Sequence, residues 1–274
     1  MSTFVSIPEW AQKRKVAIKK EIERCSTVPI LTIVKVENDP ASDSYVKGKI
    51  ADCKEVGIDV KLVELGDSAS TYSLQKVVIA EKSCPASVIV QLPLPGYINL
   101  DSVISVMSPL ADVDGFRQDS YCNPCTPQGI VDYLVDACGY DLAGKNALVI
   151  GRSNLVGRPL AKMLLDRDAS VAVAHSKTPA YDLRDMVAFA DIVFTAIDKI
   201  QYFDWTRRMC SDGLLAIDIG LGRGEDGKLH GNLSDYTIDN IASSGGEVIS
   251  GVGGVGLLTR LALLENVVKL HKMR

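Results

Sequence analysis

Apolar residues along the chain fall into short runs, and most runs are followed by a stretch whose apolar positions recur three and four apart. Short runs bounded by turn residues read as buried strands, and the longer period reads as amphipathic helix. Their alternation predicts parallel sheet covered by helices, an α/β fold. In the first half, strands are expected over Ile30–Val36, Val60–Val63 and Ser87–Gln91, with helices over 41–56, 71–82 and 98–107. Asp39-Pro40 starts the first of these helices with a capping carboxylate and then proline, whose missing N–H costs nothing there. Gly57 ends it. Thr126-Pro127 repeats the start signal, and Ile130, Tyr133, Leu134 and Ala137 follow at helical spacing as far as Gly139. This helix is the expected bridge to a second series, with strands over 146–150, 170–174, 191–195 and 214–218 and helices over 157–166 and 181–189. The glycine- and charge-rich stretch 220–231 reads as a loop. A second glycine-rich stretch, Val248–Gly256, leads into a final helix over 257–271, and the chain has no internal repeat or low-complexity tract.

A length of 274 residues allows one large or two medium domains, and 47% apolar with 23% charged residues is ordinary for a soluble α/β chain. The net charge of −4 comes from 30 basic and 34 acidic side chains that are well mixed. With no Lys/Arg block, neither a nucleic-acid nor a membrane-surface partner has electrostatic support. No basic-then-apolar signal opens the chain, and charges interrupt the apolar runs before a membrane span is reached. The seven cysteines are odd in number and scattered, with a single CxxC at Cys122–Cys125 and only three dispersed histidines. No metal site is expected, and reduced thiols point to the cytoplasm.

The stretch "VIGRSNLVGRPLAKMLL" (149–165) is where nucleotide chemistry enters. A phosphate-binding turn needs backbone that can approach an anion and a helix N-terminus aimed at it. Gly151 supplies the turn and Gly157 lets the next helix press on the sheet, while Ser153 stands where a second glycine is usual. Ser153 can serve if its hydroxyl turns away or binds the phosphate itself. At the end of the next strand an NAD site carries an acid for the ribose hydroxyls; here the chain reads Ala174-His-Ser-Lys-Thr178. Cations and hydroxyls without a carboxylate, with Arg152 in the turn, suit a 2′-phosphate and hence NADP. The candidate cofactor contacts are Gly151, Arg152, Ser153, Val156, Gly157, His175, Ser176, Lys177 and Thr178. On this spelling alone, an ordinary strand–turn–helix beside a solvated basic loop remains the competing reading.

Seven segments taken in order narrow the choice: "ENDPASDSYVKGKIADCKEVGI" (37–58), "QLPLPGYIN" (91–99), "DVDGF" (112–116), "PCTPQGI" (124–130), "IGRSNLVGRPLA" (150–161), "HSKT" (175–178) and "GVGGVGLLT" (251–259). Together they resemble the bifunctional methylenetetrahydrofolate dehydrogenase/methenyltetrahydrofolate cyclohydrolase family. The resemblance implies two domains with a cleft between them. Residues 1–138 with 257–274 would form the folate-binding catalytic domain, and 139–256 a Rossmann-like NADP-binding domain. It also implies a homodimer, tetrahydrofolate substrates, and a place in one-carbon metabolism. The implied reaction moves hydride from the methylene carbon to NADP, after which water opens the methenyl cation to a formyl product.

Tyr45 and Lys49 are four apart and share a helix face, beside a core-directed stripe of Val46, Ile50 and Cys53. Without the resemblance they would be an exposed helix pair. With it, Lys49 is implied as the central cyclohydrolase residue, Tyr45 its neighbour, and Gln91 a hydrogen-bond partner at a strand end. A lysine that handles protons needs desolvation or a nearby cation to release its own. Asp114 is implied as the acceptor for the pterin ring, whose adjacent N–H donors suit a carboxylate, whereas Asp112 reads as structural. Leu92, Pro93, Gly253, Gly254, Val255 and Thr259 complete the implied substrate contacts. Four features depart from the family pattern: the short segment 117–123, Asp198 in place of glycine, Val252 and Leu257 in place of prolines, and Asn232 in place of aspartate. They leave open a relative that keeps one activity, the cyclohydrolase before the dehydrogenase, or a non-catalytic nucleotide binder. A quinate/shikimate-type dehydrogenase would account for 146–178 but not for Tyr45–Lys49, QLPLP and DVDGF.

Overall fold

The computed structural model describes residues 4–36, 40–66, 68–81, 86–197, 203–224 and 228–274. The chain divides into two compact units, Ala11–Cys125 with Arg260–Arg274, and Met1–Trp10 with Thr126–Thr259. They are called here the Lys49 unit and the Gly151 unit. The family resemblance implies that 1–138 and 257–274 go together, whereas these units part at Cys125 and Thr126 and at Thr259 and Arg260. Side-chain packing accounts for where the bridging helix goes. The Tyr133 hydroxyl donates to the Val5 carbonyl at 2.5 Å, and the Trp10 ring meets the Tyr133 ring edge-on with centroids 5.6 Å apart.

The Lys49 unit is built on three parallel strands, β1 (Ile30–Val36), β2 (Asp59–Leu65) and β3 (Ala86–Val90), in the order β2-β1-β3. Helix α1 (Ile7–Ile22) enters this unit from the other; α2 (Pro40–Val56), α3 (Thr71–Ala80) and α4 (Leu100–Val106) follow. β1 and β3 are buried nearly throughout, and β2 alternates as an edge strand does. Val34, Val36, Leu74, Val78, Val88, Val90, Val103 and Met107 form one core cluster. Gly57, at φ +94°, ends α2 as expected, while the Asp39 cap lies outside the described residues. Because the chain steps from β1 to one side and then to the other, the carboxyl ends of β1 and β3 make a topological switch point, where open α/β sheets place their ligands.

Helix α2 is seated by charge as well as by apolar packing. Asp52 lies between Lys15 of α1, at 2.6 Å, and Arg260, whose Nε is 2.7 Å away. The guanidinium of Arg260 crosses α2 over Gly48, where a Cβ would collide with it. Asp52 is largely shielded from water, so its removal strands two cations that are themselves partly covered. Asp52→Ala should cost about 3 kcal/mol, read as a lower urea midpoint at unchanged slope, whereas Glu55→Ala, on the exposed side of Lys15, should cost under about 1 kcal/mol.

The Gly151 unit holds α5 (Cys125–Asp132), which crosses the unit boundary, and strands β4 (Asn146–Ile150), β5 (Ser170–Ala174), β6 (Ile192–Thr195) and β7 (Leu215–Asp218). A short antiparallel pair, β8 (Gly222–Arg223) and β9 (Leu229–His230), falls in the expected loop, and β10 (Glu247–Ile249) completes the main sheet. That sheet is parallel, in the order β10-β7-β6-β4-β5, so its switch point lies at the carboxyl ends of β4 and β6. Helices α6 (Gly157–Leu165), α7 (Ala180–Phe189) and α8 (Asp235–Ser243) connect the strands. The core includes Leu148, Ile150, Val193, Trp205, Ala216 and Ile241.

The last helix, α9 (Gly256–Lys272), runs from the Gly151 unit into the Lys49 unit. With the turn before it, the span Gly251–Lys272 is long and apolar enough to cross a bilayer by length and composition, which the sequence reading did not expect of any run. Leu258, Leu261, Leu264, Val267 and Leu270 are buried, as a core helix requires.

Candidate active site

At the switch point of the Lys49 unit, three side chains from distant parts of the chain converge. Lys49 is 9% exposed, and its Nζ donates to Gln91 Oε1 at 3.0 Å. Gln91 directly follows β3, and its N–H donates to the Val34 carbonyl, which holds it at the end of the sheet. Its side-chain Nε2 donates to the Leu92 carbonyl at 2.6 Å, so Oε1 is turned toward the lysine. The Leu92-Pro93 peptide is cis. Burial pushes the Asp114 carboxyl above the ordinary carboxylate range, and the charge of Lys49 opposes that rise; the nearby Cys125 thiol donates to the Val113 carbonyl at 3.3 Å. Tyr45 lies one turn before Lys49 on α2 and is 39% exposed, while Val46 and Cys53 on the adjoining stripe are buried. An amine, an amide and a carboxylate in one partly dry place, with a phenol one turn away, can hold a polar heterocycle and move protons at it.

The loop that carries Asp114 is held by its neighbour. The Asp112 carboxylate accepts the N–H of Arg117 at 2.9 Å, and the Asp112 carbonyl accepts the Ser120 hydroxyl at 3.2 Å. The short 117–123 segment is anchored by the Arg117 guanidinium, which donates to the carbonyls of Ile104 and Ser105 at the end of α4.

In the Gly151 unit, the glycine turn has the shape a phosphate site needs. Gly151 adopts φ +129° against the carbonyl of Ala196, and Gly157 packs against the Gly151 backbone so closely that a side chain has no room. Ser153 Oγ accepts the N–H groups of Val156 and Gly157 at 3.2 and 3.4 Å, so its hydroxyl is turned back onto the start of α6. After β5, the Thr178 hydroxyl accepts the His175 N–H at 3.0 Å, and His175 Nδ1 accepts that of Lys177 at 3.2 Å. The histidine proton therefore sits on Nε2, and Ser176 and Lys177 are exposed at the tip, as is Arg152. Asp218 of β7 is committed internally, accepting from Thr195 Oγ1 at 2.7 Å and from the Asn232 N–H at 2.8 Å.

Gly253 adopts φ +79°, and Gly254 and Val255 are buried. Thr259 Oγ1 donates to the Val255 carbonyl and lies 3.0 Å from Thr126 Oγ1, whose proton must then fill the contact. These residues belong to the Gly151 unit, and Tyr45, Lys49, Gln91, Leu92, Pro93 and Asp114 to the other. Asn232 is buried and brackets Ile197, accepting its N–H at 3.1 Å and donating to its carbonyl at 3.2 Å; Asp198 itself lies outside the described residues. Two participants had no sequence signal. Asn266 reads as one more polar residue in a helix, and Cys125 as half of an idle CxxC.

Cys25, Cys53, Cys122, Cys125, Cys138 and Cys210 are free thiols. Burial raises Cys53 to about 12 and Cys122 to about 11, which makes them poor nucleophiles. Among the described residues, no group of three or more His, Cys, Asp or Glu side chains is placed to hold a metal ion.

Known proteins resemble the chain along nearly its whole length. Residues 6–114 match the catalytic domain model of tetrahydrofolate dehydrogenase/cyclohydrolase, and residues 124–274 match its NAD(P)-binding domain. Bifunctional protein FolD of Methanoculleus marisnigri is 38% identical over 96% of this chain and 94% of its own length. The crystal structure of the bifunctional enzyme FolD from Campylobacter jejuni superposes with a TM-score of 0.87 at 32% identity, covering 97% of each chain. That of the Trypanosoma brucei enzyme, complexed with NADP cofactor and inhibitor, has a TM-score of 0.85 at 25% identity, covering 98% of this chain and 97% of that one. Two domain models in order and a relative of this identity along nearly the whole length show that the chain belongs to the tetrahydrofolate dehydrogenase/cyclohydrolase family.

Proposed function

We propose that this chain oxidises methylenetetrahydrofolate to the methenyl cation with NADP and hydrolyses that cation to formyltetrahydrofolate. The observation that carries the reading is the buried Lys49–Gln91 hydrogen bond beside Asp114, at a switch point of a chain in this family. Asp114 accepts hydrogen bonds from the pterin N–H donors, and Gln91, pinned by the Leu92 carbonyl, keeps the lysine over the reacting carbon. Hydride transfer breaks one C–H bond and needs no acid or base, so the first step asks these residues only to position the folate. In the second step water adds its oxygen to the cationic carbon and gives up two protons. One ends on the departing ring nitrogen and the other leaves to solvent, and Lys49 with Tyr45 handles them.

The side-chain-free turn at Gly151 and Gly157 and the α6 N-terminus fit the pyrophosphate of a dinucleotide. When bound, NADP accepts the hydride. Arg152, Ser176 and Lys177 offer charge and hydroxyl to the 2′-phosphate, and His175 and Thr178 shape the turn that presents them. Replacing Arg152 and Lys177 together by glutamate should raise KM for NADP by about a hundredfold, roughly tenfold per lost charge-assisted contact. KM for NAD should move less than about threefold, and equal losses with both cofactors would remove the 2′-phosphate assignment. Reduction of NADP by methylenetetrahydrofolate and hydrolysis of the methenyl compound, followed separately, test the main reading; absence of either defeats it. The protein is proposed to act in the cytoplasm as a homodimer. Free thiols support the first. The open edge of β5 supports the second, and a sedimentation mass of one chain would reject it.

A further inference from the structure

Asn266 sits on the buried side of α9 among Leu263, Val267 and Leu270, where an amide costs free energy unless its hydrogen bonds are made. Its Nδ2 donates to the Val113 carbonyl at 2.9 Å and to the Asn123 carbonyl at 3.2 Å, and lies 3.6 Å from Cys125 Sγ. Both protons of that amide are thus spent on two separate stretches of backbone. The Val113 carbonyl, immediately before Asp114, also accepts from Cys125 Sγ at 3.3 Å. On the far side of Asp114, Gly115 adopts φ +68° with its Cα facing the Asn123–Pro124 backbone. The carboxylate of Asp114 is therefore presented by a segment gripped on both flanks, and α9 supplies one of the grips.

We propose that Asn266 is a positioning residue for Asp114, acting through the Val113 and Asn123 carbonyls that it grips to orient the carboxylate that receives the pterin ring. The inference rests on the reading of Asp114 given above. The groups that face Asp114 are Lys49 of α2, Cys125 at the start of α5, Cys122, and Asp112 of its own loop. Without the Asn266 amide, the Val113 carbonyl has only the Cys125 thiol as donor. That weaker grip lets the Val113–Asp114 peptide turn, and the carboxylate leaves the orientation that receives the pterin ring.

The test uses Asn266→Leu, which removes both donors at similar size, and Asn266→Ser, which keeps one small donor should the leucine variant not fold. Each is made in the parent and in an Asp114→Asn background. In the parent, KM for methylenetetrahydrofolate should rise about tenfold, the scale of one lost charge-assisted hydrogen bond. The kcat and KM for NADP should stay within about threefold of the parent. In the Asp114→Asn background the same change should alter folate KM less than about twofold, because coupled residues are not additive. Equal effects in both backgrounds, or kcat and NADP KM worsening in step with folate KM, would make Asn266 a general structural residue and overturn the proposal. If Asp114→Asn alone leaves folate KM unchanged, the Asp114 reading fails first. If it raises folate KM while both Asn266 variants match the parent, only the positioning role fails.

Discussion

Lys49→Met should lower hydrolysis of methenyltetrahydrofolate by roughly a thousandfold, the usual worth of a positioned proton-handling group, while reduction of NADP falls by no more than about tenfold. Methionine is as long as the lysine stem and tolerates an irregular, largely buried site, so the space is filled and the chemistry alone is removed. Gln91 Oε1 loses its donor at 3.0 Å, and the orphaned acceptor costs about 1–3 kcal/mol, which a melting curve would register. Hydride transfer requires no proton, and this is why the two activities should separate. Lys49→Arg sharpens the result. A guanidinium can still donate to Gln91 but does not release a proton in this range, so the charge would be kept and hydrolysis still lost. Hydrolysis by the methionine variant within threefold of the parent would take away the central role of Lys49. Equal loss of both activities would assign Lys49 to folate binding instead.

How legible this was depended on whether a signal is local. Strands 146–150 and 170–174 fall where the apolar runs put them: β4 is buried nearly throughout, as a continuous apolar run implies, while β5 keeps an apolar run although part of it is exposed at the sheet edge. The turn after β4 was legible too, since Gly151 and Gly157 mark positions no side chain can occupy. Helix α1 was missed: charged residues interrupt its apolar positions, and its buried residues Trp10, Ala11, Ile18 and Ile22 are widely spaced. Helix α8 and β10 were missed because each is short and flanked by glycine and polar residues. Within the site, the face shared by Tyr45 and Lys49 follows from helical geometry alone. The meeting of Lys49 with Gln91 and Asp114 depends on strand order, β2-β1-β3, which no local pattern encodes. The grip of Asn266 on the Asp114 loop joins positions more than a hundred residues apart, and the Asp52 ion cluster joins three helices in the same way. Such pairings carry no periodicity, and the family resemblance supplied the roles that spacing could not.

Gly151→Ala should abolish NADP reduction and leave methenyl hydrolysis within about threefold of the parent. One methyl group is enough, for two independent reasons. The residue sits at φ +129°, where an L side chain is strained by about 1–3 kcal/mol, and the added Cβ would drive into the carbonyl of Ala196 at the switch point. Relief requires the turn to move away from β6, and the turn is what would meet the pyrophosphate. Gly157→Ala applies the same pressure from the helix side, against the Gly151 carbonyl carbon at 2.7 Å and the Arg152 nitrogen at 2.9 Å from the ideal Cβ position. Because the hydrolytic residues stand in the other compact unit and water replaces NADP as the second reactant, ring opening has no need of this turn. Loss of both activities together with lower thermal stability would show that the glycines serve folding alone. Retention of both would show that the dinucleotide binds elsewhere. Selective loss of reduction is the one result in which the unusual Gly-Arg-Ser-Asn-Leu-Val-Gly spelling works as a nucleotide turn, with Ser153 standing where a second glycine is usual and its hydroxyl turned onto the Val156 and Gly157 N–H groups.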